Sequence, residues 1–285
     1  MNQNLFSFIK AFLRGFGQIM LQGNVWTGLL FITAICYDSI NMGLAAIIAN
    51  LVGILSAKLF RFDKTAIANG LFGFNASLYG IALILGSMLS VLITAYALNK
   101  KIPLYTFPFI LITWIALYLI KLFGIATVSV SAPLNEIQQV DAFLIGAHAF
   151  GQVIFQGSLL AGFVFFIAVY ISQPIAALYG FMAVIISIYL AQYGQASTVL
   201  ITNGIFGFNA VLCGIAMSGP RRRDGLYVLF TVIIAIFLQQ YMMQNNWTVL
   251  TFPFVASMWI ALGIKTLSRK IPASLTNKIL PVRLK

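Results

Sequence analysis

The sequence predicts an all-α integral membrane protein made of two inverted repeats, each with five transmembrane helices and one re-entrant pore half-helix. The first observation behind this prediction is composition, because 61% of the residues are hydrophobic and only 8% are charged. Such a chain cannot cover a water-facing surface, and its apolar runs lack the alternation of β-barrel strands. The other two observations are an internal repeat and the placement of positive charge.

The internal repeat covers most of the chain. Its blocks are GQIMLQGN at 17–24 and GQVIFQGS at 151–158, NGLFGFNASLYGIAL at 69–83 and NGIFGFNAVLCGIAM at 203–217, and TFPFILITWIA at 106–116 and TFPFVASMWIA at 251–261. The offset is 134 positions for the first two pairs and 145 for the third. Three blocks in the same order indicate a duplicated architecture.

Positive charges of one copy are missing from the other. Uncharged residues replace three cations of the first copy in the second: Lys58, Arg61 and Lys64 align with Gln192, Gln195 and Thr198. Lys and Arg collect on the cytoplasmic side of a membrane, so equivalent loops are predicted to lie on opposite sides. Both termini are then cytoplasmic. The net charge of +12 is dispersed among loops, which favours membrane orientation over nucleic-acid binding.

Inversion requires an odd number of crossings per copy, and the apolar runs fit five. The predicted spans lie near 25–41, 42–58, 68–85, 84–99, 104–121, 157–172, 174–192, 202–218, 225–242 and 247–264. Residues 5–22 and 139–156 are too short or too polar to cross and are predicted to be re-entrant. The predicted organisation is a first repeat over 1–133, a second over 134–265 and a basic cytoplasmic tail over 266–285.

Inverted repeats bring equivalent residues together near the bilayer centre, where a substrate path belongs. The repeated blocks place three kinds of side chain there. Apolar pairs share one helix face: Phe74 with Leu78, and Phe208 with Leu212. Hydroxyls lie beside a proline that would break or kink a span, in Thr106 and Thr251. Amides lie in the half-helices, in Gln18 and Gln152.

Each of these features also has a purely structural interpretation. The repeated glycines could serve close helix packing. Each threonine could bond its own helix and repair the kink. The glutamines could cap the half-helix backbone.

Groups for ion coupling or catalysis are not expected within the membrane. The five acidic residues fall in loops or near span ends: Asp38, Asp63, Glu136, Asp141 and Asp224. Ion-coupled transport places ionisable groups inside the membrane. The sequence also has no HExxH or Walker-type motif. The chain is therefore predicted to be a passive path for a small uncharged solute rather than an enzyme or pump, with no cofactor.

Three motifs resemble those of the urea transporter family: RGxGQ at 14–18, GFNxxLxG at 73–80 and 207–214, and TxPF at 106–109 and 251–254. The resemblance covers about 12–264. It implies ten spans plus two pore half-helices, a pore in each protomer and a homotrimer. It also implies a flat slot lined by phenylalanines, with a ladder of oxygens and amides that bonds the NH₂ groups of urea.

The resemblance assigns roles by position. The slot walls would be Phe74, Leu78, Phe208 and Leu212, Gln18 and Gln152 would face the solute, and Thr106 and Thr251 would line the constriction. Leu21 stands where the family often has an aromatic residue, and Phe155 is its equivalent in the second copy. The family's Asn-Pro pair after each half-helix is replaced here by Asn24-Val25 and Ser158-Leu159.

The predicted function is passive, channel-like urea permeation in a bacterial inner membrane. One alternative is a channel for other small neutral solutes, such as short amides or ammonia. Another is a membrane scaffold in which the repeats are only structural, although a scaffold has no reason to keep Gln and Thr at mid-membrane.

Overall fold

The computed structural model describes residues 3–77, 83–124 and 141–270. Within these ranges the chain forms fourteen α-helices and no β-strand, which confirms the all-α prediction. The first copy contains α1 (Gln3–Gly17), α2 (Val25–Asp38), α3 (Ile40–Leu59), α4 (Lys64–Ala68), α5 (Phe74–Ser77), α6 (Leu83–Lys100) and α7 (Phe107–Leu122). The second contains α8 (Ala142–Gln152), α9 (Leu159–Ser172), α10 (Pro174–Tyr193), α11 (Thr198–Thr202), α12 (Phe208–Met217), α13 (Arg222–Gln244) and α14 (Phe252–Lys270).

The backbone repeats even where its conformation is unusual. Among the described residues, those other than glycine with positive φ form pairs of equivalent positions: Leu21 with Phe155, Arg61 with Gln195, Lys101 with Asn246, and Tyr105 with Leu250. Residues with a side chain rarely adopt this left-handed conformation. Its recurrence at equivalent positions with different side chains shows that the two copies share one pattern of turns.

The third span predicted in each copy begins with a turn between two helices. In the first copy α4 ends at Ala68 and α5 begins at Phe74, and the same break separates α11 from α12. Glycine explains the break, because Gly70 and Gly204 have φ of 75° and 73°. A Cβ at either position would collide with backbone of α1 or α8. The repeated glycines therefore serve close packing, as the structural interpretation of the motif expected.

The two segments predicted to be re-entrant form short helices that stop before the next span. α1 continues as a 3-10 helix over Gln18–Met20, and its direction differs from that of α2 by 76°. α8 has 11 residues. No proline is needed to start the helices that follow, because Asn24 and Ser158 are their N-caps and accept hydrogen bonds from backbone N–H groups. The re-entrant path in a membrane stays a prediction.

Large apolar side chains cover the outside of the molecule, among them Leu85 at 76% exposed and Tyr193 at 84%. In the described residues, three helices are each long and apolar enough to cross a membrane: Ile40–Leu59, Pro174–Tyr193 and Arg222–Gln244. The bent pair Leu5–Met20 and Val25–Asp38 adds a fourth if it counts as one span. Other predicted spans correspond to shorter helices, and the total of ten stays a prediction.

Both copies contribute to one hydrophobic core. Two pairs of equivalent helices join them, α2 with α9 and α7 with α14. The repeats therefore pack against each other through matching elements.

Candidate functional site

Thr106 and Thr251 occupy equivalent positions in the two copies and bond each other. Their hydroxyl oxygens lie 2.8 Å apart, and both residues are buried. Thr106 is the N-cap residue of α7 but makes no side-chain cap hydrogen bond. Its hydroxyl therefore joins the two copies instead of repairing its own helix.

The same kind of turn precedes each threonine. Tyr105 and Leu250, directly before the two threonines, are both left-handed, with φ of 52° and 47°. Pro108 lies in the first turn of α7, where proline needs no backbone donor. Pro253 holds the same place in α14. The expectation that these prolines break or kink a span is corrected: they start a helix.

The contacts around the threonines are reciprocal. Trp114 donates from Nε1 to the backbone oxygen of Thr248 at 2.9 Å, and Trp259 donates from Nε1 to that of Pro103 at 2.8 Å. The two hydrogen bonds are equivalent and each joins one copy to the other, because Trp114 corresponds to Trp259 and Pro103 corresponds to Thr248 in the repeat. Reciprocal contacts are typical of an interface around a two-fold axis.

Aromatic rings repeat this pairing. Phe107 packs against Trp259 with ring centroids 5.1 Å apart, and the equivalent pair, Phe252 and Trp114, has the same separation. Elsewhere in the interface, Phe31 and Phe165 are equivalent residues whose rings meet at 4.9 Å. The two copies therefore meet at two contacts between equivalent residues, one polar and one aromatic.

The asparagines of the GFN blocks hold the turns that carry the threonines. Asn75 and Asn209 are buried, and each donates from Nδ2, at 3.3 Å, to the backbone oxygen directly before Thr106 or Thr251. In the second copy the same Nδ2 also donates to Oε1 of Gln239 at 2.9 Å. The asparagines thus position the threonines.

The predicted slot walls lie in the shared core. Phe74 and Phe208 are the first residues of α5 and α12 and are 8% and 9% exposed. Leu212 is one turn further along α12 and is buried. Leu78 lies outside the described residues. The described wall residues are closed to bulk water in this structure.

The half-helix glutamines are half-buried. Gln18 donates from Nε2 to the backbone oxygen of Asn69 at 3.1 Å, in the turn that leads to α5. Gln152 is the last residue of α8. Two other glutamines, the buried Gln22 and Gln156, bond the backbone near these helix ends. Nε2 of Gln22 donates to the backbone oxygen of Met20 at 3.1 Å, and Nε2 of Gln156 donates to that of Ile154, just after α8, at 3.0 Å.

Leu21 directly follows the 3-10 helix and Phe155 lies in the turn after α8, both in the left-handed conformation, with φ of 62° and 56°. Glycine is the usual residue for that conformation after a helix. Phe155 is 40% exposed, and its ring centroid lies 6.1 Å from that of Phe109 in the other copy. Residues in such disfavoured conformations cluster at functional sites.

The structure brings the predicted residues into two groups that meet at the threonines. In the first copy α5 contacts α1, the 3-10 helix and α7. In the second, α12 contacts α8 and α14. The contact between α7 and α14 joins these groups through Thr106 and Thr251.

Comparison with known proteins finds a family match over most of the chain. The family model described as "Urea transporter" matches residues 9–266. The chain belongs to the urea transporter family. Relatives include Urea transporter 1 of Ovis aries, 25% identical over 245 residues, and Urea transporter 1 of Rattus norvegicus, 24% identical over 244. Each alignment covers 74% of this chain and 63% of the relative, so the chain spans less than two thirds of these relatives' length.

Membership of a family of transporters confirms the prediction that the chain is not an enzyme. Three acidic residues of this urea transporter family member bond the backbone at the start of a helix. Asp63 and Asp141 cap α4 and α8, and Asp224 accepts a hydrogen bond from the backbone N–H of Arg221 at the start of α13. In the described residues no group of three or more His, Cys, Asp or Glu could hold a metal ion.

Sequence reasoning marked Asn75 and Asn209 only as amides at a helix break in the repeated blocks, and it did not single out Trp114 or Trp259. All four lie in the repeated blocks. Their identity in both copies was the available signal, because polar N–H groups within a membrane protein need a fixed acceptor.

Proposed function

We propose that the chain lets urea pass down its gradient through a narrow path between the two copies. The observation that carries this proposal is the buried contact between Thr106 and Thr251, because it sets hydroxyls from both copies at one point. Family membership supports urea as the solute. A path whose polar groups replace lost water contacts keeps the barrier low for a neutral solute.

In this proposal the two copies are inverted, so that their two-fold axis lies in the membrane plane. The reciprocal tryptophan contacts support a two-fold relation. The loss of positive charge between equivalent loops supports opposite sides of the membrane. The termini and the loop with Lys58 and Lys64 are then cytoplasmic, in the inner membrane of a bacterium.

In this proposal the apolar walls and the polar edges of the path select the solute through different contacts. Phe74, Phe208, Leu78 and Leu212 form the walls in this proposal. The low exposure of the three that the structure describes, Phe74, Phe208 and Leu212, suits a slot that opens only to a flat solute. Leu21 and Phe155 flank it at the half-helix ends.

The two glutamines and two threonines form the polar edges. An amide offers both donors and acceptors, and the threonine pair retains one hydroxyl hydrogen after its mutual bond. Both kinds of group therefore match the NH₂ and C=O groups of urea. We propose one path per protomer of a homotrimer, as the family resemblance implies.

The test is solute flux into liposomes that contain the purified chain, measured by light scattering. We expect urea to enter faster than in empty liposomes, and the protein to raise the rate of urea entry by a larger factor than that of acetamide, glycerol or ammonia. Phe208→Leu should reduce the preference for urea, whereas Phe230→Leu, at a half-exposed position on α13, should not change it. Urea flux equal to that of empty liposomes would overturn the proposal, and a stronger response to formamide or ammonia would favour the alternative solutes.

A further inference from the structure

A cavity of about 520 Å³ lies beside α1 at the turn between α3 and α4, and none of the predicted path residues lines it. Three cationic side chains line the cavity: Lys58, Arg61 and Lys64. The hydroxyl of Ser7 and the apolar side chains of Phe8 and Ile67 form other parts of its wall. The cavity therefore combines concentrated positive charge with an apolar surface.

The neighbouring acid offsets only part of the charge of this cluster. Asp63 is one carboxylate in the same turn as three cations, and its Oδ2 accepts a hydrogen bond from the backbone N–H of Ala66 at 2.7 Å and caps α4. Among the described residues no carboxylate forms an ion pair with the three cations. The ammonium of Lys58 lies 4.4 Å from the ring centroid of Phe8, a contact that leaves its charge intact.

The second copy shows that the turn does not need these cations. Gln192, Gln195 and Thr198 hold the equivalent positions. Arg61 and Gln195 nevertheless have the same backbone conformation, with φ of 56° and 55°. Cytoplasmic placement explains why cations lie on this side, but not why three of them converge on one cavity with an apolar wall.

We propose that this cavity binds the phosphate headgroup of an anionic phospholipid. Phosphate oxygens accept charge-assisted hydrogen bonds from Arg and Lys, and a guanidinium can bind two oxygens at once. Basic cavities between membrane helices take acidic headgroups in this way. The apolar wall, and the exposed Phe6 and Ile9 on α1, distinguish a lipid with acyl chains from free phosphate.

The experiment measures binding of short-chain phosphatidylglycerol to the full chain in detergent, beside phosphatidylcholine and inorganic phosphate. The test variant combines Lys58→Gln, Arg61→Gln and Lys64→Thr, the residues that the second copy carries without loss of its fold. The control variant combines Lys100→Asn and Lys101→Asn. It also takes the residues that the second copy carries at the equivalent positions, and it removes positive charge from another loop. Binding is measured without urea, so its outcome does not depend on the proposed transport.

We expect phosphatidylglycerol to bind the parent and the control alike, and the test variant roughly 100-fold more weakly. Equal loss in the control would show attraction by overall charge and overturn the site. Unchanged binding in the test variant would overturn it as well. Inorganic phosphate that binds as tightly as phosphatidylglycerol would overturn the lipid assignment, since the apolar wall would then contribute nothing.

Discussion

The hydroxyl groups of Thr106 and Thr251 are 2.8 Å apart, although the two residues are separated by 145 positions in the chain. Either hydroxyl can be the donor, so one hydrogen and several lone pairs remain. The pair is buried and lies where the two copies meet. A solute that passed this point would find both a donor and acceptors.

Replacing one of these threonines should lower the free energy of unfolding by more than half of the loss caused by replacing both. Thr106→Val keeps the shape but leaves the Thr251 hydroxyl buried without its partner, which costs about 1–3 kcal/mol. The double variant with Thr251→Val should be less destabilised than the sum of the two single variants. Thermal unfolding of the detergent-solubilised protein measures this, and urea flux should fall in all three variants.

The matched control is Thr33→Val. In the parent protein the Thr33 hydroxyl donates to the backbone oxygen of Leu29 in the same helix, and Thr33 is exposed. Stability and urea flux should stay near the parent values. Strictly additive effects at Thr106 and Thr251 would contradict an energetic bond between them.

Asn209→Ala should destabilise the second copy and reduce urea flux together. The variant leaves the Gln239 side-chain oxygen and the Phe254 backbone N–H, which Asn209 bonds at 2.9 and 3.2 Å, without that partner. Each buried group left unpaired costs about 1–3 kcal/mol. Asn245→Ala is the control, because its side chain bonds only its own exposed helix end and should change stability by less than about 0.5 kcal/mol. Normal flux in a destabilised Asn209→Ala would show that Asn209 does not position Thr251.

Trp114→Phe and Trp259→Phe should have similar effects, because their contacts are reciprocal. Each variant keeps an aromatic ring and removes one hydrogen bond between the copies, at a cost of about 0.5–1.5 kcal/mol. Thermal unfolding checks both. Trp26→Phe is the control, since this residue is 67% exposed and should tolerate the change. A large effect at only one of the two tryptophans would contradict equivalent roles.

Leu21→Phe tests the half-helix end. If Leu21 flanks the path as Phe155 does in the second copy, the larger ring narrows it, and acetamide should be excluded about tenfold more strongly relative to urea. The flux ratio in liposomes measures this. Leu29→Phe on α2, at an exposed position, is the control and should leave the ratio unchanged. An unchanged ratio in Leu21→Phe would place this side chain outside the path.

Some features of the fold follow from sequence pattern because they depend on residues near each other in the chain. Apolar runs without alternation predicted helices, and the described residues form fourteen of them. The span predicted over 68–85 began too early, since the turn between α4 and α5 occupies its first residues and an apolar run does not show where its helix begins. Gly70 and Gly204, both at positive φ, carried the signal for that turn.

Turn geometry at the candidate site could not be predicted in the same way. Leu21, Tyr105, Phe155 and Leu250 adopt a conformation that their side chains disfavour. Surrounding packing holds them there, and packing is not visible in local sequence. The roles assigned to the site residues themselves stay predictions until flux is measured.

The sequence by itself determined the apolar character of the chain, its duplication and its family, because these depend on which residues occur and in what order. It also marked the repeated threonines and asparagines, but not what they bond. Only the tertiary structure decided that Thr106 meets Thr251, that Asn75 and Asn209 hold the turns before them, and that three cations share one cavity. The physical reason is that a hydrogen bond depends on distances between segments far apart in the chain, and those distances exist only once the two copies have packed together.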